Sequence, residues 1–359
     1  MAAPELSFHD ALLHQSGICA QLGSPLYEAI FRAMAVDLNN NGETARISEH
    51  LTIRPMRDAA PLRIAGVIHR LALTGKAPSV ARHFPSTGGT PGPTLIADYL
   101  EALATFRNDI DEGLSRTVQT NEVGRTTMLV TGMSFFAREV GIPATHLREV
   151  GSSCGLNLQV DEYFFEANGT SYGNGNALVR FEDSAWGTPR PDIAQCPALL
   201  SRAGCDIAPL DAHNINDQFT LLSFVWPDQF DRFARLRNAI NNACASSTYV
   251  SPDQQDAAEW IHQQFENISF DEPVLIFHSI VWQYLSQETK KAFREAVNNH
   301  CTQRSAPTGW LRMEPAGPVA DLRIDIWHGT KKTHGDQVIA DSSFHGIGTR
   351  SIVSSAEVK

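Results

Sequence analysis

No stretch of this 359-residue chain approaches the roughly 18 apolar residues that a membrane-crossing helix needs, so no membrane partner is expected. Its six cysteines, at positions 19, 154, 196, 205, 244 and 301, form no C-x-x-C pair. That spacing argues against paired-cysteine zinc sites and against a disulfide framework. The carboxylates and imidazoles at Asp206–Asp217 and His328–His345 lie in loop-like sequence without metalloprotease spacing, and no metal is assigned. The G-x-x-x-x-G-K phosphate loop is missing, which argues against the kinases built on it. Basic residues are outnumbered, 29 Lys and Arg against 40 Asp and Glu, for a net charge of −11. Nucleic acid is therefore not an expected partner, because phosphate recognition relies on clustered Lys and Arg. The opening MAAPELSFHDALLHQ has neither a basic segment nor a long apolar run. A secretory signal is not expected, and a reducing cytoplasm is the expected compartment.

What is present falls into two kinds of pattern. Leu12, Leu13, Cys19 and Leu22, then Leu26, Ile30, Met34 and Leu38, recur at helical spacing, and Ser24-Pro25 reads as an N-cap followed by Pro at the first helical position. A further helix is expected over 61–73 and another over about 94–111, separated by a loop at 77–93 that holds four prolines and three glycines. Residues 1–115 thus read as an all-helical domain or cap. From 116 to 359, strand-like runs near 147–150, 177–182, 205–209, 273–279, 310–313 and 322–327 alternate with helical runs at 228–241, 252–266 and 286–299. Alternation of this kind predicts a doubly wound parallel α/β sheet. Pro273–Ser279, a β-branched and aromatic run without breakers, has the character of a buried parallel strand.

The stretch His146–Phe165 carries the clearest chemical signal. A short strand ends at Glu149-Val150 and enters the turn Gly151-Ser-Ser-Cys-Gly155, followed by an apolar run that begins a helix or continues extended. Glycines in such a turn let backbone approach a ligand, and a following helix N-terminus supplies N–H donors. A plain tight corner is the competing reading. Glu149, Gly151, Ser152, Ser153, Gly155 and Asn157 are the candidate cofactor residues here. Cys154 has no base beside it in sequence and is not taken as a nucleophile.

Two further segments bear on the same site. His278 and Tyr284 follow the buried strand and are candidates for a general base or for orienting a substrate, with Trp282 beside them. A buried histidine satisfied by one hydrogen bond is an equal reading, and the aromatics also suit a core or lid. Gln119, Asn121, Glu122 and Arg125 precede an apolar helix; they read either as a solvated capping loop or as a segment folded over the carboxyl edge of the sheet, where Arg125 suits a carboxylate.

Glu149-x-Gly151-x-Ser153-x-Gly155 resembles the first motif of class I S-adenosylmethionine-dependent methyltransferases, with Ser153 where that family has its middle glycine. Six ordered segments, Gln119–Arg125, Leu147–Tyr163, Pro209–Asn214, Phe224–Ile240, Phe277–Leu285 and Trp310–Pro315, resemble those of a bacterial family of unknown function numbered 2332, as do Gly23–Ile30 and His83–Gly89. These resemblances imply a Rossmann-like, methyltransferase-type α/β domain after a helical one. They imply S-adenosylmethionine as cofactor and methyl transfer to a small molecule, or, alternatively, a non-catalytic nucleotide- or metabolite-binding protein of the same fold. An acidic residue at a later strand end is then expected on the cofactor ribose, and Glu182 and Asp206 are the candidates. The acceptor and the oligomeric state are left open.

Overall fold

In the computed structural model, residues 6–115 and 118–352 are described. The chain divides into two compact units, Met1–Thr120 with Asn214–Arg237, and Asn121–His213 with Asn238–Lys359.

The described part of the first unit contains the helices Phe8–Gln21, Pro25–Asn39, Glu43–Glu49, Ala60–Leu73, Pro78–Ala81, Leu95–Thr105, Arg107–Leu114 and Ile215–Ser223. Ser24 caps the second of these, its hydroxyl accepting from the Tyr27 N–H at 3.3 Å ahead of Pro25. The same hydroxyl donates to Asp228 Oδ1 at 2.6 Å, and the Leu26 N–H donates to Oδ2 at 3.0 Å. One carboxylate therefore ties the 214–237 segment to this helix start. Leu12, Phe31, Ile64, Ile68, Phe84 and Leu103 lie in its buried core. The single helix expected over 94–111 is two, broken at Phe106, whose ψ of +31° leaves the helical range.

The described part of the second unit holds eleven strands: β1 (Ala144–Val150), β2 (Phe164–Ala167), β3 (Thr170–Gly173), β4 (Arg180–Phe181), β5 (Ala198–Asp206), β6 (Asp253–Gln254), β7 (Val274–Ser279), β8 (Thr308–Ala316), β9 (Val319–His328), β10 (Lys331–Ser342) and β11 (Arg350–Ser351). Eight of them form one sheet in the order β11-β10-β9-β8-β7-β1-β5-β6, and β3-β2-β4 form a second. Pairing is parallel from β6 through β8 and antiparallel from β8 through β11. The architecture is thus mixed α/β around a large, mostly parallel sheet. Every residue of β7 is buried, as its unbroken apolar run requires. Among the described residues, no helix is long and apolar enough to cross a membrane.

Several sequence expectations change. The apolar run after Gly155 is a 3-10 helix, Leu156–Glu162, with a non-helical residue at Gln159. No α-helix follows the turn directly, so the donors expected from its N-terminus are not supplied that way. The connection from β1 to β5 carries this 3-10 turn and the small sheet instead of an α-helix. Of the strand expected at 205–209, only Cys205-Asp206 is strand, as the end of β5, which begins at Ala198; the polar Ser201-Arg202 within it hides the strand periodicity. Only Arg180–Phe181 of the alternating run 177–182 pairs, and it does so in the small sheet. The charged β10 was not anticipated, because its polar residues face outward over most of its length.

Candidate functional site

Strand β1 delivers its last residues between β5 and β7, and the chain turns immediately after it. Gly151, Ser153 and Gly155 all have left-handed backbone, with φ of +70°, +53° and +71°. Ser153 therefore adopts the conformation that a glycine would take at the middle position, at some cost in strain. The turn is held from three sides. Asn121 Oδ1 accepts from the N–H groups of Cys154 and Leu156 at 3.2 and 3.0 Å. Asp206, at the end of β5, accepts from the Ser153 N–H at 2.9 Å through Oδ2 and from the Ala208 N–H at 3.0 Å through Oδ1. The Ser152 hydroxyl donates to the Cys205 carbonyl at 3.2 Å. Tyr249 adds a fourth support, donating to the Cys154 carbonyl at 3.1 Å and accepting from the Ala212 N–H at 3.2 Å. An isolated tyrosine in the loop before Ser251-Pro252 gave no sequence signal for that role.

The glycines are required by the protein's own packing. A Cβ on Gly151 would stand 2.5 Å from Val281 Cγ2, and one on Gly155 would stand 2.9 Å from the Val250 carbonyl oxygen. Both turn faces are thus closed against neighbouring segments of the same unit.

Glu149 is 2% exposed. Asn157 Nδ2 donates to its Oε1 at 3.0 Å, while Glu149 Oε2 and Asn157 Oδ1 have no partner. Burial pushes the Glu149 carboxyl up to about 8; the Asn157 hydrogen bond and the Arg125 charge oppose that shift, and Asp206 adds to it. At neutral pH the group is an uncharged acid.

The β1–β7 register pairs Glu149 with Phe277 and Val150 with His278. Alternation along a strand then places Glu149 on one face of the sheet and His278 on the other. His278 is wholly buried, stacked on Trp282 at 5.1 Å between centroids and tilted against Trp310 at 6.1 Å. Its Nδ1–H donates to Glu314 Oε1 at 2.8 Å, and Nε2 has no partner. The same oxygen accepts from the N–H groups of Val281 and Trp282 at 3.2 and 3.1 Å. Glu314 thus pins the segment after β7. It lies in the segment Trp310–Pro315, where its pairing with His278 was not legible, since two parallel strands far apart in sequence bring them together. Glu314→Ala is expected to cost about 1–3 kcal/mol, because three donors lose one acceptor. Urea unfolding measures this, and a loss under about 0.5 kcal/mol would mean that water replaces the carboxylate.

The remaining candidates separate. Arg125 reaches the carboxyl end of β7, donating to the Ser279 carbonyl at 3.2 Å and to the Phe344 carbonyl at 3.1 Å. Glu122 accepts from the Gly124 N–H at 3.1 Å. Asn121, Glu122 and Arg125 are on the second unit, whereas Gln119 is buried in the first. Tyr284 is 63% exposed. Glu182 follows β4 of the small sheet and pairs with Arg180 at 2.8 Å.

The family model described as an uncharacterized protein conserved in bacteria, DUF2332, matches residues 9–349. The chain belongs to this family. Neither curated proteins nor solved structures match it. The candidate site of this DUF2332 chain is defined by its own residues. They make a braced turn at the carboxyl end of β1, an acid beside it on β5, a buried neutral acid beneath it and an enclosed histidine on the opposite face.

Proposed function

We propose that this DUF2332 protein binds S-adenosylmethionine at the carboxyl edge of the parallel strands and methylates a small molecule. The observation that carries this reading is the position of the Gly151–Gly155 turn. Taken by succession, β1, β5, β6, β7 and β8 follow the 3-2-1-4-5 winding of Rossmann-type sheets. The order reverses between β1 and β7, and ligands of such sheets bind outside the carboxyl ends at that reversal. Asp206 ends the neighbouring strand; each of its oxygens holds one backbone donor and retains a lone pair for a ribose hydroxyl. Ile207 next to it is 65% exposed, apolar surface that a purine ring would cover.

The donor set fits such a cofactor at these positions. Asp206 would hold its diol, with Ser153 and Gly155 shaping the turn. The cofactor brings an electrophilic methyl group. The chain contributes orientation and exclusion of water, which suffice for an in-line transfer, and a base only where the acceptor carries a proton. Glu149 supports the turn from below in its neutral form. Arg125, beside Ser279, suits an acidic group on the acceptor. A second reading, a non-catalytic binder of a nucleotide or metabolite, is favoured by the enclosure of His278, which holds the candidate base against Glu314 and Trp282.

Thermal unfolding with S-adenosylmethionine, S-adenosylhomocysteine, NAD and ATP separates these readings. At a hundredfold excess over Kd, a ligand that binds only the folded state adds about 2.7 kcal/mol, a rise of several degrees. A shift with the first two alone is expected. No shift with either at millimolar concentration overturns the cofactor assignment, and a shift with NAD or ATP alone transfers the site to another nucleotide.

A further inference from the structure

The segment His83–Gly89 plays no part in the site above, yet it presents a hydroxyl in reactive company. His69, on the helix Ala60–Leu73, is wholly buried in the first unit between the rings of Phe84 and Phe233, at 5.5 and 6.2 Å. Its Nδ1 lies 3.0 Å from the Ser223 carbonyl, and its Nε2 lies 2.7 Å from Ser86 Oγ. A carbonyl only accepts, so Nδ1 carries the proton and Nε2 keeps its lone pair. The Ser86 hydroxyl must then donate to Nε2, which leaves its own oxygen lone pairs for an electrophile. The hydroxyl is also firmly placed. Its residue's N–H donates to the Pro227 carbonyl at 2.9 Å, and the Thr87 hydroxyl donates to the Ala81 and Phe84 carbonyls at 2.6 and 2.7 Å. His83, three residues earlier, is held by Asp98 at 2.6 Å. Ser86 itself is half-buried, the histidine fully so.

We propose that Ser86 is a nucleophile and His69 its general base, a second reactive centre that cleaves carboxylic esters with good leaving groups. The relation between the two side chains is that of a Ser–His pair, in which a carbonyl takes the orienting role usually held by a carboxylate. Ser86 Oγ attacks the ester carbonyl carbon as its proton passes to His69 Nε2. The carbon–oxygen bond to the leaving alcohol breaks, and that oxygen takes the proton from Nε2. Water, deprotonated by the same nitrogen, then releases the acid and restores the hydroxyl. Burial pushes the His69 imidazole down to about 4, against the pull of the Ser223 and Val225 carbonyls. A base this weak suits aryl or similarly activated esters better than amides, and it is already unprotonated throughout the neutral range.

The test uses the full chain and a fluorophosphonate probe, in which Ser86 Oγ bonds to phosphorus and fluoride departs. Mass spectrometry should place the adduct on Ser86, and Ser86→Ala, smaller by one oxygen, should lower labelling at least tenfold. The rate should stay level from about pH 5.5 to 8.5 and fall below about pH 5 as His69 gains a proton. An unassisted serine would instead react about tenfold faster per pH unit. Absence of an adduct at Ser86, equal labelling of Ser86→Ala, or a rate that climbs with hydroxide would each overturn the proposal and leave a structural hydrogen bond. His69→Gln, if it folds, should label like Ser86→Ala; if it does not fold, the Ser86→Ala comparison and the pH profile still decide.

Discussion

Replacing Glu149 with Gln is expected to stabilise the chain by roughly 2–5 kcal/mol at pH 8 and to change it little at pH 4.5. The ordinary value of the carboxyl is 4.5 and the folded protein raises it to about 8. Between those limits the folded state keeps a proton that the unfolded chain has released. The stability that Glu149 contributes is therefore fully present below pH 4.5 and is lost as pH rises through 8. The physical cause is burial, to which the nearby Asp206 charge adds. The protonated acid is buried without charge, whereas ionisation buries a charge whose second oxygen has no partner. A glutamine amide is uncharged at every pH. Urea unfolding of both proteins from pH 5 to 8.5 should give curves that diverge with rising pH. Parallel curves would mean that the carboxylate is ionised and stabilised where it lies.

The second large effect is expected at Gly155. Gly155→Val should destabilise the protein by about 3–5 kcal/mol, since a β-branched residue at φ +71° is strained and its Cβ meets the Val250 carbonyl oxygen at 2.9 Å. The Pro252 ring, 3.3 Å away at Cγ, blocks relief on that side. Gly155→Ala keeps the strain with less bulk and should fall between the two. Chemical denaturation measures the loss. A variant as stable as the parent would mean that the 250–252 segment yields, and the glycine would then be required by a ligand instead of by packing. If Gly155→Val folds, its response to S-adenosylmethionine in the thermal assay reports on the turn as a ligand floor.

Both expectations concern the stretch that dominates the sequence, and the structure changes the reason for its residues. Glycines spaced around a turn were legible as a place where something must come close. In the folded chain the nearest neighbours are Val281, Val250 and Pro252. Sequence spacing cannot distinguish a ligand from another part of the chain, because both demand the same missing side chain. Which of Glu182 and Asp206 lies at the turn was equally closed to it. The pairing of β5 beside β1 brings Asp206 to the Ser153 N–H, while Glu182 follows a strand of the small sheet.

The sequence by itself determined what depends on near neighbours. It determined the Ser24-Pro25 helix start, the buried strand Val274–Ser279, and the sharp turn after Val150. Capping, chain stiffness and apolar periodicity act within a few residues, so their signals survive in the unfolded string. Tertiary structure decided which atoms share a site. Register sends Glu149 and His278 to opposite faces of the sheet, His278 meets Glu314 across two strands, and Ser86 meets His69 through a helix 17 residues earlier. Those meetings rest on strand pairing and core burial between segments distant in sequence, and no local spacing records them.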